Sequence, residues 1–265
     1  MRNKVVAILS VIVVIALALA LIQLRRGGTK GEKTQRTLFL YSGGGLRLAV
    51  NECVDIFSGE NDAKVECNYA GSGVLLNQVQ VTKKGDLFMP GDAFYIDKVE
   101  PPEFIESKHK VCYFIPEILV RKGNPKNINS LKDLVKPGVR LGLGDPKACA
   151  IGRNSVQIFE KSNINMEDVK KNLVFNSLTV GELGVQIEVG KVDAVIVWDS
   201  TAAHYADSGD TIKIPKDRNV ISSVAIALLG SSRNKELAGE FIDFVTSIRG
   251  QELFRKHHFS TELPE

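Results

Sequence analysis

Short β-type runs alternate with amphipathic helical stretches along most of this chain, and the alternation limits the fold more than any other feature. Strand patterns at 37–41, 63–69 and 86–89 enclose helical patterns at 46–57 and 74–81, and a second series runs from 139 to 198. Two adjacent parallel strands need a long crossover, which is usually a helix. The pattern therefore predicts an α/β fold with a parallel-rich mixed sheet in each of two lobes.

Two longer extended stretches, residues 110–121 and 219–229, interrupt this alternation, and Pro116 divides the first of them. Their length favours a two-strand hinge that crosses between the lobes. We therefore expect one lobe from 37–117 plus 222–265 and the other from 118–221. Apolar spacing over 236–255 predicts one carboxy-terminal helix.

The first 36 residues do not fit the α/β pattern. Arg2 and Lys4 precede an apolar run at 5–24, and Arg25 and Arg26 follow it. A helix of about 20 apolar residues is long enough for the roughly 30 Å hydrocarbon core of a membrane. This predicts an amino-terminal hydrophobic helix that is either a cleaved export signal or, the favoured alternative, an uncleaved anchor followed by a tether. Both alternatives place the protein outside the cytoplasmic membrane.

Charge and cysteine content exclude several classes of partner and site. The formal net charge is +3, but the first 36 residues hold seven basic residues and one acidic residue, so 27 basic and 30 acidic residues remain in the body. That balance argues against a nucleic-acid partner. None of the four cysteines forms a CxxC pair, which excludes zinc-ribbon and thioredoxin-type sites. Cys53 and Cys67 are either a disulfide pair or buried free thiols.

Three strand-to-helix junctions consist almost entirely of small residues: SGGG at 42–45, AGSG at 70–73 and GDPKACAIG at 144–152. Free N–H groups and the helix dipole at such junctions favour an anion, and small residues let it approach the backbone. Taken singly, each stretch is more often an ordinary turn with a helix cap, and it is their repetition in one chain that favours an anion site. None matches a phosphate loop or a GxGxxG motif, so nucleotide binding is not indicated.

Six segments spread over roughly 37–259 carry a family resemblance: LFLYSGGGLRLAVNECVDIF, VECNYAGSGVLLNQVQ, GDLFMPGD, VRLGLGDPKACAIGRNSVQIF, VDAVIVWDSTA and QELFRKHHF. In order and spacing they resemble the extracytoplasmic molybdate- and tungstate-binding proteins of ABC importers. The resemblance implies a two-lobed periplasmic-binding-protein fold that closes on a tetrahedral oxyanion without counter-charges. It further implies a monomer that delivers its ligand to permease subunits and uses no cofactor.

The resemblance also implies a set of ligand positions. In the first turn the ligand serine of the family falls at Gly45, with Gly44 beside it and Ser42 as a possible substitute donor; in the second turn Gly71 and Ser72 match. Backbone donors fall at Ile151 and Val180, and a tyrosine of the family falls at Trp198. On this basis Gly45→Ser is expected to strengthen oxyanion binding, because it restores a hydroxyl donor.

Three further residues lie beside the expected cleft: Asp145, Cys149 and Asp199. They are either ligands of a cation or expanded oxyanion, or helix caps and packing residues. His204, His257 and His258 lack ligand spacing and are interpreted as surface residues, so no metal site is predicted.

No catalytic signature emerges, because the AGSGV stretch around Ser72 lacks the first glycine of a G-x-S-x-G elbow. The favoured function is oxyanion capture for an ABC importer, with molybdate or tungstate as first choice. The alternative is a membrane-anchored sensor or accessory receptor that binds another oxyanion or a metal species.

Overall fold

The computed structural model describes residues 36–263, which contain two five-stranded sheets with helices packed on them. The strands are β1 (Arg36–Gly43), β2 (Ala63–Ala70), β3 (Leu87–Met89), β4 (Ile105–Phe114), β5 (Pro116–Arg121), β6 (Leu141–Gly144), β7 (Leu173–Ser177), β8 (Ala194–Trp198), β9 (Gly209–Lys213) and β10 (Ser222–Leu229). The helices are α1 (Arg47–Asn61), α2 (Ser72–Thr82), α3 (Ala150–Lys161), α4 (Met166–Asn172), α5 (Val180–Glu188), α6 (Asp199–His204), α7 (Lys235–Thr246) and α8 (Ile248–Lys256). Short 3₁₀ turns lie at Gly44–Leu46, Ala93–Tyr95, Pro102–Phe104 and Leu131–Val135.

The two sheets have the same plan. The first has the order β2-β1-β3-β10-β4 and the second the order β7-β6-β8-β5-β9. In each, three adjacent strands are parallel, and one strand, β10 or β5, runs antiparallel to both of its neighbours. We call the first sheet with α1, α2, α7 and α8 the first lobe, and the second sheet with α3 to α6 the second lobe. The α/β class with mixed, partly parallel sheets is confirmed.

The chain passes between the sheets at two places. Ile115 alone separates β4 of the first sheet from β5 of the second, and residues 214–221 lead back to β10. The Asn219 side chain donates a hydrogen bond of 2.9 Å to the carbonyl of Pro116, which ties the two crossings together. The exact lobe limits at 117/118 and 221/222 stay a prediction.

The first lobe contains both ends of the described chain. Phe57 of α1 packs edge to face against Phe241 of α7, with ring centroids 5.1 Å apart. Both rings are almost fully buried, and aromatic pairs in this geometry stabilise a core beyond their buried area. The carboxy-terminal helices therefore complete the core that the first strand and helix begin.

One local expectation was wrong. The carboxy-terminal pattern forms two helices, because Ser247 has an extended backbone and its hydroxyl accepts a hydrogen bond from the Gly250 N–H, which starts α8. For Cys53 and Cys67 the structure shows the free-thiol alternative. All four cysteines are free thiols, and Cys53 is directed into the core at 0% exposure.

The predicted signal or anchor at 5–24 lies outside the described residues. Between residues 36 and 263, no helix combines the length and the apolar content that a membrane crossing requires.

Candidate functional site

Four helix amino ends meet at one cavity between the lobes. The first lobe contributes Gly44 and Gly45, at the turn that leads into α1, and the start of α2; the second lobe contributes the starts of α3 and α5. The first N–H groups of a helix have no partner within the helix and carry its positive dipole end. The full lining is Gly43, Gly44, Gly45, Ala70, Gly71, Ser72, Gly91, Phe114, Cys149, Ala150, Ile151, Thr179, Val180 and Trp198. We call this cavity the cradle.

The cradle is small and contains no ionised side chain. Its volume is about 20 Å³, and its lining includes no Asp, Glu, Lys, Arg or His. Cys149 is its one titratable group, and burial raises the pKa of that thiol to about 11, so it is neutral at pH 7. The lining therefore attracts an anion through N–H dipoles and hydroxyl groups rather than through a counter-charge.

Ser72 is oriented to donate. Its hydroxyl oxygen accepts a hydrogen bond of 3.0 Å from the Gly91 N–H, and the residue is 3% exposed. Because that bond occupies an oxygen lone pair, the hydroxyl proton remains available for an acceptor in the cradle. Ser72 is thus a side-chain donor at the start of α2.

Close contact between the lobes requires the small residues of the second turn. A Cβ atom on Gly71 would lie 2.4 Å from the carbonyl oxygen of Leu178, and one on Gly73 would lie 2.0 Å from that of Lys147. The Gly73 N–H also donates a hydrogen bond of 2.8 Å to the carbonyl of Ala148. These contacts join the two lobes, so any larger residue here would hold them apart.

The side chains packed around position 45, rather than its backbone angles, leave room only for glycine. An added Cβ would lie 2.9 Å from Cγ1 of Val180 and 3.2 Å from both Cδ1 of Trp198 and Cζ of Phe114. Trp198 stacks on Phe114 with ring centroids 4.6 Å apart and planes 9° apart. Positions 45 and 198 are therefore coupled in packing, because the indole of Trp198 and the side chain of Val180 occupy the space that a serine side chain at 45 would need.

A cation and an aromatic ring join the lobes beside the cradle. The guanidinium of Arg153, on α3, lies 3.8 Å from the centroid of the Phe94 ring and 3.8 Å from a carboxylate oxygen of Asp92. Arg153 belongs to the second lobe, whereas Asp92 and Phe94 belong to the first. Both contacts therefore require the lobes to be together.

The structure brings most of the expected ligand positions to the cradle. Ser42 does not line it: the residue is 0% exposed and, within 36–263, its hydroxyl has no hydrogen-bond partner. The positions that do line it are Gly44, Gly45, Gly71, Ser72, Ile151, Val180 and Trp198. Their role as ligand residues stays a prediction.

Two of the three flanking residues lie elsewhere. The Asp145 carboxylate accepts hydrogen bonds from the N–H groups of Lys147 and Ala148, at 2.8 and 3.1 Å, so it caps its own turn. Asp199 accepts from the N–H of Ile115, the residue at the first lobe crossing, and does not reach the cradle. Cys149 alone lines the cradle, where its neutral thiol packs beside the start of α3.

Sequence reasoning missed several lining residues. Gly91 lies in the quoted GDLFMPGD segment, but nothing in that segment shows that its N–H orients Ser72. Thr179 precedes α5 as its N-cap, a position where threonine is common, so this residue could have been identified. Phe114 comes from the end of β4, and only the fold brings that ring to the cradle.

No described group of three or more His, Cys, Asp or Glu side chains has an arrangement that could hold a metal ion.

Two lobes of mixed α/β sheet are joined by two chain crossings and enclose a cavity lined by helix amino ends. This arrangement defines a solute-binding protein of the clam-shell type. The chain belongs to the bacterial extracellular solute-binding proteins, whose family model matches residues 38–260.

Individual relatives support this family. A Haemophilus influenzae protein described as a binding protein is 31% identical over 222 residues, 84% of this chain and 90% of its own. The molybdate-binding protein ModA of Mycobacterium tuberculosis is 24% identical over 237 residues, covering 88% of this chain and 87% of its own. The sulfate-binding protein SubI of the same organism has a similar fold, with a TM-score of 0.76, 16% identity and coverage of 85% and 86%.

Proposed function

We propose that this protein captures a tetrahedral oxyanion in the cradle and delivers it to an ABC importer, with molybdate or tungstate as the preferred ligand. The observation that carries the proposal is the meeting of four helix amino ends at one cavity without an ionised side chain. The family membership and the similarity to ModA support the same ligand class.

The kind of hydrogen-bonding group in the cradle favours anions that carry no proton. Helix amino ends offer only N–H donors, and Ser72, which already accepts from Gly91, offers a proton. The cross-lobe carbonyl of Ala148, beside Gly71, already accepts a hydrogen bond from the Gly73 N–H. Molybdate, tungstate and sulfate are fully deprotonated at neutral pH, whereas inorganic phosphate keeps at least one P–OH. A buried O–H without an acceptor costs about 1–3 kcal/mol, which disfavours phosphate.

Binding works through closure of the lobes. Donors come from both lobes, so an anion is fully held only when the lobes are together, and this difference in affinity shifts the population toward the closed form. The contacts of Arg153 with Asp92 and Phe94 stabilise that form. The membrane-spanning permease of an importer then recognises the closed protein at the outer face of the cytoplasmic membrane.

Thermal unfolding with molybdate, tungstate, sulfate, phosphate and divalent metal ions tests the proposal. A bound ligand at 100 times its Kd stabilises the folded state by about 2.7 kcal/mol. We expect a clear rise in Tm with molybdate or tungstate and little change with phosphate. Absence of any rise with molybdate, tungstate and sulfate would refute oxyanion capture.

The variant Ser72→Ala tests whether the anion binds in the cradle. Loss of a hydrogen bond to a charged group should weaken molybdate binding about tenfold or more, as measured by isothermal titration calorimetry. Ser58→Ala, on α1 away from the cradle, serves as the matched control and should bind like the wild type. Wild-type affinity in Ser72→Ala would show that the anion lies elsewhere.

A further inference from the structure

A buried asparagine connects the second lobe to the first. Asn154 lies on α3, three residues after Ile151, which lines the cradle, and it is 0% exposed. Its side-chain amide donates two hydrogen bonds, one of 2.9 Å to the carbonyl of Val220 and one of 2.8 Å to the hydroxyl oxygen of Ser222. Val220 belongs to the crossing at 214–221, and Ser222 begins β10 of the first sheet.

The hydrogen bonding continues from Ser222 into the first lobe. The Ser222 hydroxyl, 1% exposed, donates a bond of 2.7 Å to a carboxylate oxygen of Asp92. The other carboxylate oxygen of Asp92 accepts from the Phe94 N–H at 2.9 Å. Because Ser222 accepts from Asn154 and donates to Asp92, both functions of its hydroxyl are used. We call the linked side chains of Asn154, Ser222 and Asp92 the interlobe chain.

The interlobe chain returns to the helix on which it starts. Arg153, the neighbour of Asn154 on α3, lies 3.8 Å from the same carboxylate oxygen of Asp92 that accepts from Ser222. Asp92 therefore contacts α3 twice, once through the guanidinium and once through Ser222. A hydrogen bond is lost when its two heavy atoms move beyond about 3.5 Å, so a movement of α3 by about 1 Å away from the first lobe breaks the chain.

We propose that Asn154 is a positioning residue for the anion, because it holds the amino end of α3 at the distance from the first lobe that the cradle requires. This inference rests on the proposed oxyanion function. Ala150 and Ile151, at the start of α3, line the cradle, whereas Asn154 does not. Asn154 therefore acts on the anion only through the position of α3. Its bonds to the first lobe stabilise the closed form, so they slow the release of the anion.

Stopped-flow and calorimetric titrations with molybdate compare Asn154→Ala with a matched control, Asn172→Ala. Asn172 is 8% exposed, and its amide also donates two hydrogen bonds, of 2.8 and 2.7 Å, to the carbonyls of Leu134 and Lys136. These groups all lie between β5 and β7, within the second lobe, so the control removes the same kind of bond without affecting the contact between the lobes. Trp198, in the wall of the cradle, supplies the fluorescence signal.

Asn154→Ala should weaken molybdate binding about tenfold or more, as expected for the loss of two buried hydrogen bonds that favour the closed form. The dissociation rate constant should account for this change, and the association rate constant should stay within about twofold, because the anion enters the open form. Asn172→Ala should keep both rate constants within about twofold of the wild type. Both variants should lower the Tm of the ligand-free protein, so Tm alone does not distinguish positioning from a purely structural role.

Ser222→Ala tests the interlobe chain with a smaller change. It removes one hydroxyl and keeps the bond between Asn154 and Val220, so the fold should be retained and molybdate binding should weaken about fivefold. If Asn154→Ala does not fold, Ser222→Ala decides the question alone. Wild-type affinity in the interlobe variants, or an equal loss in Asn172→Ala, would overturn this inference and leave the proposed function standing. Failure of the wild type to bind molybdate, tungstate and sulfate would overturn both.

Discussion

Substitution of Gly45 by serine tests how closely the two lobes fit at the cradle. Sequence comparison with the molybdate-binding family predicts that the added hydroxyl strengthens binding. The structure predicts the opposite, because the new Cβ would lie 2.9 Å from Cγ1 of Val180 and 3.2 Å from Cδ1 of Trp198. Both of those residues belong to the second lobe, whereas Gly45 belongs to the first. The contacts with these two residues therefore arise only when the lobes close, whereas the 3.2 Å contact with Cζ of Phe114 lies within the first lobe.

The expected cost is that of overpacking. Extra atoms in a well-packed region destabilise it by about 1–3 kcal/mol. If only the closed form is destabilised by this amount, molybdate affinity falls by about five- to 150-fold. Removal of the obstructing methyl groups should relieve it, so Gly45→Ser combined with Val180→Ala should bind more tightly than Gly45→Ser alone. The coupling free energy between the two positions should be at least about 0.5 kcal/mol in a double-mutant cycle.

Calorimetric titration with molybdate on the wild type, both single variants and the double variant gives the cycle. Gly59→Ser is the matched control, since it lies on the helix that follows Gly45 and a Cβ there meets nothing within 4 Å. Affinity equal to or above the wild type in Gly45→Ser would refute the packing argument. Strictly additive effects at 45 and 180 would refute the coupling.

Two further predictions concern the lobe crossing and the contacts of Arg153. Burial raises the pKa of Asp199 from 3.8 to about 6, so the folded protein holds more protons than the unfolded chain between these values. Protonation of Asp199 therefore stabilises the folded protein. This contribution to the free energy of unfolding, about 3 kcal/mol, is fully present below about pH 4 and is lost as the pH rises through 6. Over pH 4 to 7.5, denaturant titrations should show the wild type losing about 3 kcal/mol more stability than Asp199→Asn; equal slopes would contradict the assignment. Arg153→Met removes the contacts with Phe94 and Asp92, so molybdate affinity should fall about fivefold, as for about 1 kcal/mol of cation–π energy. The surface variant Arg249→Met should not change it, and wild-type affinity in Arg153→Met would show that these contacts do not favour closure.

Much of the fold could be predicted because its signals are local. The bounds of β2 and α2 lie within two residues of the sequence patterns at 63–69 and 74–81, since helix caps and apolar runs act over neighbouring residues. The division of the carboxy-terminal helix at Ser247 was less visible, because serine is also tolerated inside helices. Strand β9 was missed because its five residues form a strand only by pairing with β5.

The sequence alone determined the α/β class and the turns at 42–45, 70–73 and 144–152 that precede helices, because each turn depends on a few adjacent small residues. Only the tertiary structure decided that these turns meet at one cavity, that Asp199 is directed toward the lobe crossing and that Trp198 and Val180 exclude a side chain at position 45. Those facts depend on atoms that are far apart in the chain and become neighbours only when the two lobes pack together.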